Sequence, residues 1–249
     1  MARGLAVIKA FDGTRPRMTL SEVARQTNLT RATARRFLHT LVALGYTDTD
    51  GREFWLRPKI LELGYAYLSS LSLPDVAAPH LKSLVDQVNE SASVSVLDGT
   101  DIVYVARVPT RRIMTVSISV GTRFPAFATS MGRVLLAALP APVAAEQLAA
   151  ADRQPLTRNT LTSTELLLAE LGRVREQGWA LVEQELELGL RSIAVPIRDA
   201  GGTVVAAMNV SVSATPDTIE QSRHRLLPPL LSVAAALEQD LAGRLHEGS

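Results

Sequence analysis

The spacing of apolar residues from Met18 to Tyr46 predicts two short helices joined by a tight turn. Leu20, Val23 and Ala24 give the first helix one apolar face. Thr19 precedes it with Glu22 three residues on, the spacing at which hydroxyl and carboxylate cap the first backbone N–H groups reciprocally. The chain reverses at Gln26-Thr27-Asn28-Leu29, where asparagine tolerates the left-handed backbone better than most non-glycine residues. Thr30 is the expected N-cap of the second helix, whose Ala34, Phe37, Leu38, Leu41 and Val42 fall on one face. The remaining face carries Arg31, Thr33, Arg35, Arg36 and Thr40.

This pattern fits a helix-turn-helix, whose second helix enters the DNA major groove so that arginine and threonine reach bases and phosphates. It also fits an ordinary helical hairpin with a solvated basic face. The residues that follow bear on the choice. After Gly45 the chain reads YTDTDGREFWLRP, in which Tyr46-Thr47 and Phe54-Trp55-Leu56 are strand-like and Asp50-Gly51 signals a hairpin turn. A hairpin directly behind a recognition helix is the wing of a winged helix-turn-helix. Arg52, near its tip, is placed either to meet a phosphate or to be a solvated turn residue. Ahead of this unit, Gly4 to Phe11 predicts an apolar helix that packs on it, and Asp12 to Arg17 a Gly/Pro loop. Behind it, Pro58 suits the first turn of a helix running to Ser70. Ile60, Leu61, Leu63, Tyr65 and Leu68 make that helix more apolar than a solvated linker needs, so burial against a partner subunit is expected ahead of the alternative, packing on its own domain.

From Leu73 the pattern changes. Asp75 to Asn89 predicts an amphipathic helix, then strands follow at 92–97 and 102–108, separated by Asp98-Gly99-Thr100-Asp101, and at 113–120. Gly121 to Pro125 reads as a loop into a helix that opens at Thr129-Ser130-Met131-Gly132-Arg133 and runs to Leu139. Helices are expected at 142–150 and 164–177, strands at 179–182, 193–198 and 203–213, and a long closing helix from about Pro216 to Leu245. Strands that meander and helices that flank them predict an antiparallel sheet in an α+β chain.

Composition narrows the class. The 249 residues, 47% of them apolar, suffice for one large domain or two unequal ones. No stretch matches a membrane span; Leu226 to Leu237 is apolar but short and interrupted by Pro228-Pro229. The lack of a basic-then-apolar leader and of any cysteine predicts a cytoplasmic protein without disulfides or thiolate metal sites. His39, His80, His224 and His246 have no metal-ligand spacing. The net charge of +1 hides an asymmetry: residues 1–74 hold 11 Lys and Arg against 6 Asp and Glu, and residues 75–249 hold 15 against 19. A basic first third on a mildly acidic body suits a nucleic-acid module joined to something else.

Within that body, the helix opening at Thr129-Ser130-Met131-Gly132 offers free N–H groups and the positive end of its dipole to an anion, and Gly132 permits close approach of a ligand. Arg107, Arg123, Arg133 and Arg191 border the same segments. Each is either a bidentate partner for a carboxylate or a structural ion pair. Catalysis would need a nucleophile with a base, a carboxylate pair or a metal cluster, and no such constellation stands out. Glu183, Glu185 and Glu187 are close together but read as structural or coupling residues, so an enzyme is not expected.

The order GLAVIKAF, LSEVARQTNLTRATARRFLHTLVALGY, a wing, LELGYAYL, GTRFPAFATSMGRVLLA, GWALVEQELELGLRSIAVPIRD and GGTVVAAMNVSVS resembles the IclR family of bacterial transcription regulators along the whole chain. The run ALVEQELELGLRSIAVP is similar to the branch that controls aromatic-acid catabolism, the protocatechuate, 4-hydroxybenzoate and β-ketoadipate genes. The resemblance implies a winged helix-turn-helix at residues 1–57 and a linker helix at 58–73. At 74–249 it implies an effector-binding domain similar to the GAF/profilin-like antiparallel sheet flanked by helices. It further implies a homodimer or homotetramer on a palindromic or repeated double-stranded DNA operator, a small carboxylic acid as effector, and no cofactor. In members that bind small oxo acids, the pocket positions correspond here to Gly132, Ser192, Asn209 and Ser211. Asn209 and Ser211, two apart, face one side of a strand, where they either bond a ligand or line a solvent face. One position is a departure: an acidic residue of some members is Val182 here, which disfavours a glyoxylate- or pyruvate-type ligand and favours a larger, partly apolar one. Phe124, Phe127 and Met131 are placed to supply its apolar wall or to be core.

Overall fold

The chain divides into two compact units, residues 1–71 and 72–249. A computed structural model describes residues 2–63, 73–110 and 118–247, with side chains as far as residue 242. In the first unit, helix α1 (Ala2–Lys9) packs on α3 (Arg31–Ala43), which follows α2 (Leu20–Gln26). The expected caps form. Thr19 Oγ1 accepts from the Glu22 N–H while the Glu22 carboxylate accepts from the Thr19 N–H, which holds the Glu22 carboxyl below its ordinary range. Thr30 Oγ1 accepts from the Thr33 N–H at 3.2 Å. Asn28 makes the turn at a φ of 52°. Val7, Val23, Ala34, Leu38 and Phe54 close the core.

The wing is larger than its sequence pattern predicts. Besides β2 (Thr47–Thr49) and β3 (Glu53–Leu56), a strand β1 (Arg17–Thr19) forms where a loop is expected, giving the order β1-β3-β2. Three residues are too few to show alternation; what holds β1 is Met18, buried opposite Phe54. Pro58–Leu61 forms a 3-10 turn, and residues 64–72 of the expected linker helix lie outside the described residues.

The second unit is built on an antiparallel sheet of order β6-β5-β4-β9-β8-β7. Its strands are β4 (Ser91–Asp98), β5 (Asp101–Val108), β6 (Arg123–Pro125), β7 (Ala180–Glu183), β8 (Leu190–Arg198) and β9 (Val204–Ser213). Of the strand expected at 113–120, residues 113–117 lie outside the described residues and 118–120 are not strand. The edge is made instead by β6, where a loop is expected; it is held by pairing to residues 101–103 rather than by any periodicity of its own. Helices α4 (Leu73–Val88) and α8 (Ile219–Glu247) pack together against one face of the sheet. Helices α5 (Ser130–Ala138), α6 (Ala141–Ala150) and α7 (Thr164–Gln177) belong to the other, where Ile102, Tyr104, Ala180, Ala194 and Ala207 meet Phe127, Met131 and Leu135. Small residues at the centre of that face let α5 approach closely. Among the described residues, no helix is long and apolar enough to cross a membrane.

Candidate functional site

Two surfaces carry the candidate residues, one in each unit. On α3 the buried face leaves Arg31, Ala32, Arg35, Arg36, His39 and Thr40 exposed and Thr33 half-buried. Among the described residues none of Arg31, Arg35 or Arg36 has a carboxylate within salt-bridge reach. The two threonines are partly engaged at home: Thr33 Oγ1 accepts from Thr30 Oγ1 at 2.9 Å, and Thr40 Oγ1 donates to the Arg36 carbonyl at 2.9 Å. One border of the face is the wing, where His39 meets Phe54 edge-on at 6.1 Å. At the wing's tip Asp50 Oδ1 accepts from the N–H groups of Arg52 and Glu53 at 3.0 and 2.8 Å, which holds its carboxyl below the usual range and leaves the Arg52 side chain exposed. The other border is α1, whose Arg3 lines a groove together with Thr33, Arg36, Phe37 and Thr40. Arg3 escapes a sequence reading because nothing local in ARGLAVIK ties it to α3; Gly4 lies against Phe37 and brings it there.

In the second unit a cavity of about 370 Å³, its open mouth included, lies between the start of α5 and the sheet. Its polar lining is a connected set. Ser130 Oγ and Ser192 Oγ are 2.7 Å apart, and Asn209 Nδ2 donates to Ser192 Oγ at 2.8 Å and to Ser211 Oγ at 3.0 Å. Each of these residues is at least nine-tenths buried. Asn209 Oδ1 is buried without a hydrogen-bond partner among the described residues. The apolar lining includes Ile118, Met131, Val182, Leu186 and Leu190. Tyr104 also lines it; burial pushes its phenol up to about 12, with nearby Arg107 pulling the other way, so the hydroxyl stays protonated at neutral pH. The register explains the convergence. Ser192 stands opposite Ser211, and Ser211 opposite Ser91; Asn209 stands between Ser93 and Ala194. Ser91, Ser93 and Ser95 therefore continue the polar patch, with Ser95 Oγ 3.2 Å from the Met131 sulfur. These serines are missed on sequence, although alternation of serine with apolar residues in SASVSVL is a readable signal.

Ser130, Met131, Ser192, Asn209 and Ser211 thus come together around one cavity, and two other candidates do not. Arg123 is not among the lining residues. Its guanidinium donates to Asp98 at 2.5 Å and Asp101 at 3.2 Å, on an exposed hairpin. Gly132 packs closely on its own chain: a Cβ there would fall 2.1 Å from the Ala126 carbonyl oxygen, and its N–H is capped by Thr129 Oγ1 at 3.1 Å. Phe127 is core and Phe124 packs edge-on against Tyr104. Arg133 and Arg191 are internal. Arg133 donates to Glu185 at 2.6 Å and to the Phe127 carbonyl. Arg191 pairs with Glu183 and donates to the Asp217 and Thr218 carbonyls and to Ser222 Oγ ahead of and within α8. Both glutamates hold the segment whose Leu186 and Leu190 wall the cavity.

Comparison with known proteins gives consistent matches. Residues 65–239 match the family described as bacterial transcriptional regulator IclR, C-terminal, and residues 1–51 match the IclR helix-turn-helix domain. The chain is 48% identical to the Pca regulon regulatory protein of Pseudomonas putida, over 98% of this chain and 84% of that protein. It is 40% identical to the p-hydroxybenzoate hydroxylase transcriptional activator of Acinetobacter baylyi, over 84% of this chain and 79% of that one. The crystal structure of an IclR homolog from Microbacterium hydrocarbonoxydans complexed with 4-hydroxybenzoate is similar in fold with a TM-score of 0.84. That likeness is at 26% identity and covers 96% of this chain and 98% of that chain.

Proposed function

The chain belongs to the IclR family of bacterial transcriptional regulators and is an effector-binding regulator of aromatic catabolism, and from that premise we propose how its two surfaces divide the work. Helix α3 reads a double-stranded operator through Arg31, Thr33, Arg35, Arg36 and Thr40, with Arg52 of the wing on a neighbouring phosphate. The cavity holds the effector, an aromatic acid or a β-ketoadipate-pathway acid, against Ser130, Met131, Ser192, Asn209 and Ser211. Residues 1–57 form the reading head, 58–73 the linker and 74–249 the effector domain. The active species is a cytoplasmic homodimer or homotetramer, and the cavity performs no catalysis.

The observation that carries this reading is Asn209. Both of its N–H groups are spent on Ser192 and Ser211, and its Oδ1 is buried beside the cavity without a donor. An unmet buried acceptor costs about 1–3 kcal/mol, and a ligand hydroxyl would remove that cost. With amide oxygen and nitrogen exchanged, the site would offer a donor instead; either orientation leaves one buried polar atom for the ligand. Ile118, Met131, Val182, Leu186 and Leu190 supply the apolar part of the lining that a ring or a short carbon chain requires. Binding of the effector controls transcription if the two states of the protein hold it with different affinity.

The test is a thermal-shift panel of protocatechuate, 4-hydroxybenzoate, β-ketoadipate, cis,cis-muconate, glyoxylate and pyruvate. A ligand at 100 times its Kd stabilises the native state by roughly 2.7 kcal/mol. A shift with an aromatic-pathway acid, lost in Asn209→Ala and Ser211→Ala, is expected. A shift with glyoxylate or pyruvate alone would overturn the ligand class, and no shift with any acid would overturn the cavity.

A further inference from the structure

The cavity has no Lys, Arg or His among its described lining residues, yet a carboxylate taken out of water needs strong compensating donors. We propose that Arg107 supplies them, pairing with the effector's carboxylate along a row of side chains that leads to Asn209; this rests on the effector reading above. Of the arginines bordering the site, Arg123 is committed to Asp98 and Asp101, Arg133 to Glu185, and Arg191 to Glu183 and the start of α8. Arg107 is not so committed. It is half-buried, and among the described residues its one side-chain bond is from Nη1 to Ser93 Oγ at 3.2 Å and no carboxylate lies within salt-bridge reach. A guanidinium has five N–H donors, so the four not given to Ser93 are left to water or to a ligand.

Register places it. Arg107 on β5 stands opposite Ser93 on β4, and Ser93 opposite Asn209 on β9, so the three side chains share one row on the face that carries the cavity. Neighbouring strands are about 4.8 Å apart, and Nη1 already leans along the row toward Asn209. A register shift between Val94 and Ser95 puts Tyr104, which lines the cavity, opposite Ser95. Arg107 and Tyr104 therefore face the same side although three residues apart. Burial pulls the Arg107 guanidinium below the ordinary arginine value, the opposite of the paired Arg123, whose carboxylate bonds raise it.

The experiment compares full-length wild type, Arg107→Gln and Arg107→Lys by titration calorimetry with 4-hydroxybenzoate, protocatechuate and neutral 4-hydroxybenzamide. Hydrogen bonds to charged groups are worth 1.5–3 kcal/mol, so Arg107→Gln should weaken both acids roughly 10- to 100-fold. The amide's Kd should stay within a factor of two or so, and Arg107→Lys should recover part of the loss. Equal weakening of acid and amide means that Arg107 merely supports the fold, and unchanged acid binding means that it takes no part; either overturns the assignment alone. Wild-type protein that binds none of the three, nor β-ketoadipate or cis,cis-muconate, overturns the effector reading and the assignment with it.

Discussion

The arginines of the two units live under opposite rules. On α3 and the wing, Arg31, Arg35, Arg36 and Arg52 are exposed and have no internal carboxylate among the described residues. In the second unit Arg133 and Arg191 are both 3% exposed, and each is locked to a glutamate. An exposed cation costs the fold nothing and is available to a polyanion, whereas a buried one must be paired before the domain can close around it. The arginines of α3 and the wing are thus left open to a partner while Arg133 and Arg191 are structural, a difference set by burial rather than by sequence neighbours.

That contrast can be broken in graded steps. Arg133→Ala leaves Glu185 buried and uncompensated, so urea unfolding should show a loss of about 3–5 kcal/mol; a loss under about 1 kcal/mol would mean water already screens the pair. Gly132→Ala pushes a methyl into the Ala126 carbonyl and should cost about 1–3 kcal/mol. Its ligand affinity should fall no further than that of other variants of equal stability, since Gly132 serves packing. Arg123→Ala removes two exposed ion pairs and should change stability by no more than about 1 kcal/mol, with the effector Kd unaltered. Arg35→Ala with Arg36→Ala should move stability by less than about 0.5 kcal/mol. Its effect belongs to the DNA: the slope of log K against log salt should flatten by about 2 if both hold phosphates. A slope equal to wild type would remove those two arginines from the interface.

Local features were legible because local physics makes them. The capping box at Thr19 and Glu22, the Thr30 cap and the left-handed turn at Asn28 each involve atoms within a few residues of one another. Helix α7 was bounded at Thr164 and Gln177 because its leucines keep a helical period and Gly178 can take the positive φ that ends it. Strands β1 and β6 were not legible: each is three residues long and exists only by pairing with a partner distant in the chain.

The site divides the same way. Sequence nominated Ser130, Met131, Ser192, Asn209 and Ser211, through a helix start, a strand alternation and a resemblance, and the cavity collects all five. It also nominated Arg123 and a ligand-facing Gly132, because an arginine before a helix and a glycine within its first turn look alike whether they face a ligand or their own chain. It gave no sign of Tyr104 or Leu186, and the alternation that marks Ser93 was missed.

The sequence by itself determined the family, most of the order of elements, the capped helix starts at Leu20 and Arg31 and the basic first third, since periodicity, caps and charge are written residue by residue. Only the tertiary structure decided which arginines are spent and which row of the sheet meets the start of α5. Those outcomes depend on strand register and on a bulge between Val94 and Ser95, and a shift of one residue in either would turn the same side chains to the other face.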